Sequence, residues 1–356
     1  MREDKAQTPA KASGEGAGRK DMIKDIVKVV ASLGVTAGML VWLFHKVNFH
    51  QVMTIIRDGV DYRYLFIMMF LTMLSHVIRG IRWGIQLRAA GVPRMPVVAE
   101  SVSIFGAYAL NLLFPFLGEA WRCVYVSKRE NVKLSTVIGT DLGDRASDGV
   151  MIVLVLLLTL VVARGAMDSF LDKYPLGESI EHVFSHGLLF IVIAAVIVGV
   201  LLIDHFFGGS LVVKKFNASV ARMWQGFVVL FHMKGIDWYL VLTIGIWTCY
   251  FFQTYSCFYA FPFTRELISE PGLAAGFIPG LVVFVFGSCS MGIPSNGGLG
   301  PWNVAVMFAL SLYGISDTDG TAYSIVCWSF QTVMLIACGI FSAFYILSSR
   351  RRRGAA

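Results

Sequence analysis

Charge is scarce in this sequence. Only 15% of its 356 residues are Asp, Glu, Lys or Arg, against 56% hydrophobic, a balance outside the range of ordinary soluble domains. The apolar residues fall in runs of about 20, the length with which a helix crosses roughly 30 Å of hydrocarbon. No cleavable leader is evident either. Met1–Lys24 is polar and Gly/Lys-rich, and the first apolar run has no small-residue cleavage site after it, so it reads as a retained span. The six cysteines (Cys123, Cys249, Cys257, Cys289, Cys327, Cys338) have no paired spacing, which supports neither a disulfide framework nor a metal site and leaves them as small packing residues. Catalytic signatures fail as well: there is no His-Glu-x-x-His, no Gly-x-Ser-x-Gly around Ser288 or Ser290, and no acidic Mg-binding pair in a soluble loop. His76, the one histidine well inside a span, reads as a packed residue. An enzyme is therefore the least favoured class, and no cofactor is expected.

What charge there is has a pattern. Of the formal +7, six basic residues lie in the N-terminal tail and Arg350–Arg353 close the chain. Basic clusters beside spans follow from the positive-inside rule and anionic headgroups, not from nucleic-acid binding. The expected fold is all-α, a polytopic integral membrane protein with about six spanning helices and both termini cytoplasmic. Residues 1–24 form a disordered tail, 25–349 a single transmembrane domain and 350–356 a basic tail. Spans are expected at Ile26–Phe44, Tyr64–Trp83, Leu134–Ala163, Leu188–Leu202, Trp238–Phe261 and Tyr323–Leu347. Arg164–Ser185 is an outer loop, and residues 211–231 place apolar side chains opposite Lys214, Lys215 and Arg222, as in an interfacial amphipathic helix.

Two apolar segments do not fit a simple span. Val97–Tyr125 is broken by Pro115 and Gly118, and Leu273–Leu312 by Pro294-Ser-Asn-Gly-Gly-Leu-Gly-Pro301. Arms this short read as re-entrant hairpins, with irregular backbone tolerated only inside protein or along a cavity. Basic flanks place the first hairpin on the cytoplasmic side, and acidic flanks place the second outside. Span, hairpin, span thus occurs at about 64–163 and again, inverted, at about 238–347. Inverted repeats with broken helices are the construction of many transporters.

The main chemical signal is a cluster of charge where lipid is expected. Asp141, Asp144, Arg145 and Asp148 fall at i, i+3, i+4 and i+7 on one helical face, and Arg145 has Asp141 and Asp148 within reach. Arg122 or Arg79 is the candidate cation for the remaining carboxylate, and Glu119 is a further acid nearby. Charges at such depth cost about 2.5–3.5 kcal/mol each on insertion scales and usually face a cavity or partner. Two readings stand: a network that pins the hairpin, or a cavity whose arginines fork an anionic headgroup while an acid carries a coupling proton. Arg79 and Arg82 also admit snorkelling to the interface. The second break offers the amides of Gly297 and Gly298 to an anion, although a plain broken-helix turn is the simpler reading.

The run Asn111…Pro115…Gly118-Glu119…Arg122, followed by Asp144-Arg145-x-x-Asp148, resembles the lysylphosphatidylglycerol synthase transmembrane region, or flippase-like domain, family. Arg79-x-x-Arg82-Trp83 and Pro294-x-x-Gly297-Gly298-x-Gly300 with Gln331 fit the same pattern, so the resemblance covers about Asp25 to Arg350. It implies a bacterial inner-membrane protein that moves lipids or lipid-linked headgroups between leaflets. The aminoacyltransferase domain of the best-known members does not follow before Ala356, so synthase activity is not carried over. Phe116 stands where family sequences place an arginine, and Asp144 where they favour glutamate. The implied substrate site comprises Arg79, Arg82, Asn111, Glu119, Arg122, Asp141, Asp144, Arg145, Asp148, Pro294, Gly297, Gly298 and Gln331. The expected partners are membrane lipids, anionic or lipid-linked. An ion-coupled transporter of a small soluble substrate and a non-catalytic partner of an envelope-biosynthesis enzyme are the rival readings.

Overall fold

The computed structural model describes residues 59–163, 233–269 and 276–354, with isolated positions between 53 and 57 and between 218 and 228. Among these residues the chain forms nine helices and no strand: α1 (Tyr62–Ala89), α2 (Val97–Asn111), α3 (Leu117–Glu130), α4 (Leu134–Val162), α5 (Ile236–Phe258), α6 (Pro262–Ser269), α7 (Phe277–Ser290), α8 (Pro301–Ser311) and α9 (Asp317–Gly354). The expected spans Ile26–Phe44 and Leu188–Leu202, the loop Arg164–Ser185 and the helix at 211–231 lie outside the described residues, apart from isolated helical positions in the last.

Three described helices are long and apolar enough to cross a membrane: α1, α4 and residues Asp317–Ser349 of α9. Their burial pattern is inverted relative to a soluble helix. In α1, Phe66, Ile67 and Phe70 are exposed while His76, Arg79 and Arg82 are buried. In α4, Val153, Leu154 and Leu157 are exposed while Asp141, Asp144 and Asp148 are buried. Lipid favours this arrangement, because apolar side chains face the hydrocarbon and polar ones face the bundle interior. At 23 residues α5 is also long, but it is not among these candidates. Its Tyr, Trp, Thr and Gln residues lower its mean hydropathy.

Both broken segments are helical hairpins. In the first, α2 ends at Asn111, and residues 112–116 turn through Pro115 and Phe116, whose φ of 62° is left-handed. Gly118, expected in the break, instead lies in the first turn of α3. A Cβ there would collide with the main-chain oxygen of Ala107, so the glycine permits close approach of the arms. The Asn111 Oδ1 accepts from the Gly118 N–H at 2.8 Å, satisfying an otherwise unpaired first-turn amide. In the second hairpin Pro301 opens α8, where its missing N–H costs nothing, and the Asn303 Oδ1 accepts from the Gly300 N–H at 3.1 Å.

Helix ends also differ from the sequence expectation. α1 continues to Ala89, six residues past Trp83. α9 starts at Asp317 because Ser316 and Asp319 form a capping pair, with the Asp319 N–H donating to the Ser316 Oγ at 3.1 Å and that hydroxyl donating back to the Asp319 carboxylate at 2.7 Å.

The described elements follow the order helix, hairpin, helix twice, as α1, α2–α3, α4 and as α5, α7–α8, α9, with short α6 inserted after α5. Their packing is reciprocal. The leading helices α1 and α5 pack together, α2 packs on α9, and α7 packs on α4. Each hairpin thus docks its first arm on the closing helix of the other unit. The two turns meet directly: the Gly297 N–H donates to the Asn111 carbonyl at 3.0 Å, and the Asn296 Nδ2 donates to the Leu113 carbonyl at 2.9 Å.

Candidate functional site

Eight charged side chains from three helices meet at one place. α1 supplies Arg79 and Arg82, α3 supplies Glu119 and Arg122, and α4 supplies Asp141, Asp144, Arg145 and Asp148. Asp144 sits at the centre, 2.6 Å from Arg82, 3.4 Å from Arg122 and 3.6 Å from Arg79. Asp148 lies 2.6 Å from Arg79 and 2.9 Å from Arg82. Asp141 pairs with Arg122, and Glu119 with Arg145. Four arginines thus face four carboxylates, and the formal charge cancels. Burial of ions is sustained only when each has partners of good geometry, and this network supplies them.

Aromatic and hydroxyl groups complete its walls. Arg79 donates to the Tyr250 hydroxyl at 3.1 Å and Arg82 to the Thr243 Oγ1 at 3.3 Å, both on α5. The Arg122 guanidinium stands 4.5 Å from the Trp83 ring centroid, and that of Arg82 stands 5.3 Å from the Tyr239 ring, distances at which a cation is attracted to the ring face. Among the described residues no group of three or more His, Cys, Asp or Glu is placed to hold a metal ion. The carboxylates are met by guanidiniums instead.

Exposure divides the network. The side chains of Arg79, Arg82, Arg122 and Asp144 are at most 3% exposed, whereas Arg145 is 36% and Glu119 21% exposed. The Arg145–Glu119 pair is therefore the open edge of an otherwise sealed cluster. Asn111 joins this edge, its Nδ2 donating at 3.1 Å to the same Glu119 Oε1 that accepts from Arg145.

An apolar cavity of about 720 Å³ lies nearby, between α2, α9 and the two hairpin turns, with Leu113, Trp121, Leu299, Trp328, Ile336 and Gly339 among its walls. Trp121 and Glu119 are two residues apart, about 200° around a helix, so cavity and charged edge lie on opposite faces of α3. Both converge on the hairpin turns.

Several sequence expectations are corrected by this geometry. Arg145 does not pair with Asp141 or Asp148 on its own helix but reaches across to Glu119. Arg79 and Arg82 do not snorkel: they are 2% and 0% exposed. Three amides of the second turn are already engaged, the N–H of Gly297 by Asn111, that of Leu299 by Asn296, and that of Gly300 by Asn303. Pro294 and Gly298 belong to that turn and bring no charge to the cluster, and Gln331 pairs with Gln253 of α5 at 3.3 Å. Asn111 alone of the expected residues touches both the turn junction and the charged edge. Tyr239, Thr243 and Tyr250 were not expected, although their i, i+4, i+11 spacing puts them on one face of α5.

A helical membrane domain with two docked hairpins and a buried, self-neutralised charge network is the class that these features define. Within it the family is clear. The family described as lysylphosphatidylglycerol synthase TM region matches residues 29–339, and the chain belongs to that family. Neither a curated protein nor a solved structure matches the chain.

Proposed function

We propose that this protein moves a lipid or lipid-linked substrate between the leaflets of a bacterial cytoplasmic membrane, without itself catalysing a covalent step. The observation that carries this reading is the partly exposed Arg145, held by a single carboxylate at the edge of a network whose other arginines are buried and paired. An anionic headgroup that displaces Glu119 gains a guanidinium fork without disturbing the sealed core. The apolar cavity has the size of sites that enclose small molecules, roughly 300–1,000 Å³, and can receive an acyl chain beside the same hairpin turns. In this reading the hairpins are re-entrant from opposite sides, the two units form an inverted repeat, and Arg79, Arg82, Arg122, Asp141, Asp144 and Asp148 hold the scaffold rather than the headgroup.

One observation favours a second reading. The network is internally neutral, which suits a structural role in a non-catalytic partner of an envelope-biosynthesis enzyme. Ion-coupled transport of a small soluble substrate has no comparable support. Headgroup-labelled anionic and zwitterionic lipids in proteoliposomes separate the first two. Movement is expected with wild type and lost with folded Arg145→Gln. Undiminished movement in that variant, or none in wild type, overturns the translocation reading.

A further inference from the structure

Among the described residues, Asn111 is the one whose atoms reach both hairpin turns and the partly exposed charge pair. Its main-chain oxygen accepts from Gly297 of the second turn at 3.0 Å. Its side-chain oxygen accepts from Gly118 at 2.8 Å, and its Nδ2 donates to the Glu119 carboxylate at 3.1 Å. The same carboxylate oxygen holds Arg145, while the other oxygen, Oε2, is buried without a partner. Glu119 therefore binds Asn111 and Arg145 through one atom, and any movement of that atom is felt by both.

The junction on the other side of Asn111 is narrow. Across a separation of 183 residues, Asn296 donates to the Leu113 carbonyl at 2.9 Å. Trp328 of α9 donates to the Gly297 carbonyl at 2.9 Å, fixing the second turn from behind. Gly297 has φ of 59°, and a Cβ there would stand 2.5 Å from the Leu112 Cδ2. The contact thus depends on a few hydrogen bonds and one side-chain-free position. Leu112, Leu113, Asn296 and Leu299 at this junction also line the end of the apolar cavity.

We propose that Asn111 is a positioning residue that latches the two hairpin turns together and releases them when an anion takes Arg145 from Glu119. The anion-driven half of this device rests on the headgroup reading above; the latch itself does not. With Arg145 engaged elsewhere, the Glu119 carboxylate loses its cation and turns toward the donors left to it. Asn111 is then drawn away from its place at the end of α2, its carbonyl no longer meets Gly297, and the cavity opens at the turns. Packed elements with two discrete arrangements convert such small shifts into larger ones.

The test is a distance measurement between the turns by dipolar line broadening in continuous-wave electron paramagnetic resonance. Nitroxides are placed at Leu113→Cys and Ser295→Cys in the full chain, with the exposed Cys289 changed to Ser. The protein is studied in phosphatidylcholine nanodiscs with and without phosphatidylglycerol. One short distance is expected in phosphatidylcholine, and a second, longer population when the anionic lipid is added. Asn111→Asp keeps the acceptor for Gly118 but places a carboxylate against Glu119, so the longer population is expected in either lipid. Adding Glu119→Gln returns a donor to that pair, and the double variant is expected to recover the short distance. If Asn111→Asp keeps the single short distance, the latch is overturned. If Asn111→Asp separates the turns but anionic lipid does not, the latch stands and the headgroup reading falls.

Discussion

Asp144 is the position where the charge-balance argument is most exposed to refutation. Asp144→Asn removes one negative charge and almost no volume, so its cost reports electrostatics rather than packing. Three guanidiniums lie within 3.6 Å of this carboxylate, and its loss leaves four buried or half-buried arginines facing three acids. Breaking a buried pair in this way costs about 3–5 kcal/mol. At roughly 2 °C per kcal/mol for chains of this size, the melting temperature should fall by about 6–10 °C. Five of the six cysteines are buried, so a thiol-reactive fluorogenic dye reports the transition directly. The decisive variant is the double one, Asp144→Asn/Arg82→Gln. It leaves three separate pairs, Arg79–Asp148, Arg122–Asp141 and Arg145–Glu119, and restores neutrality. At least half of the lost stability should return, giving a large favourable coupling in the double-mutant cycle. A single variant that melts within a degree of wild type, or a double variant no better than the single, refutes the reasoning.

Gly118→Ala places a methyl group against the Ala107 carbonyl and should cost about 1–3 kcal/mol through overpacking of the first hairpin; a thermal melt unchanged from wild type would show that the arms can separate freely. Asp61 caps α1 and is held below the usual carboxylate range by its hydrogen bond from the Arg63 guanidinium. Because the folded protein binds this proton less readily than the unfolded chain, its stabilisation is complete above about pH 4 and fades as pH falls further. The difference in melting temperature between wild type and Asp61→Asn, followed by intrinsic fluorescence, should therefore shrink on acidification, and a difference that grows would contradict the assigned cause.

The sequence carried the helical character, the two breaks and most of the charged cluster, for identifiable reasons. Helical spacing alone gathers Asp141, Asp144 and Asp148 on one face, and proline with glycine marks each interruption. Partner choice was less legible. Arg145 has acids at i−4 and i+3, so local spacing favours an intrahelical pair, whereas the true partner Glu119 lies on another element and becomes reachable only once α3 docks. Arg79 and Arg82 were ambiguous because an arginine near the end of an apolar run can snorkel or turn inward. Their burial against Asp144 and Asp148 of α4 settles that, and α4 is not visible from α1's own sequence. The glycines of the second turn were visible, but not the carbonyl that takes the Gly297 N–H, since it comes from 186 positions earlier in the chain. Tyr239, Thr243 and Tyr250 escaped notice because phenols and hydroxyls are unremarked in a span until an arginine faces them.

The division of charge among the elements limits which of them can move. α1 contributes two cations, α4 three anions and one cation, and α3 one of each. Neither α1 nor α4 is neutral by itself, and each would carry about 2.5–3.5 kcal/mol per unmatched charge in lipid, so these helices are bound to each other through Arg79, Arg82, Asp144 and Asp148. α3 is different. Removing it takes away Arg122 and Glu119 together, leaving Arg79, Arg82 and Arg145 opposite Asp141, Asp144 and Asp148. The remaining cluster stays balanced, with Arg145 freed beside Asp141 one turn away on the same helix. A displacement of the first hairpin's second arm thus strands no net charge in the membrane, whereas sliding α1 against α4 strands two. If the domain has a moving part at this site, charge balance assigns it to α3, the helix that carries both the partly exposed carboxylate and one wall of the apolar cavity.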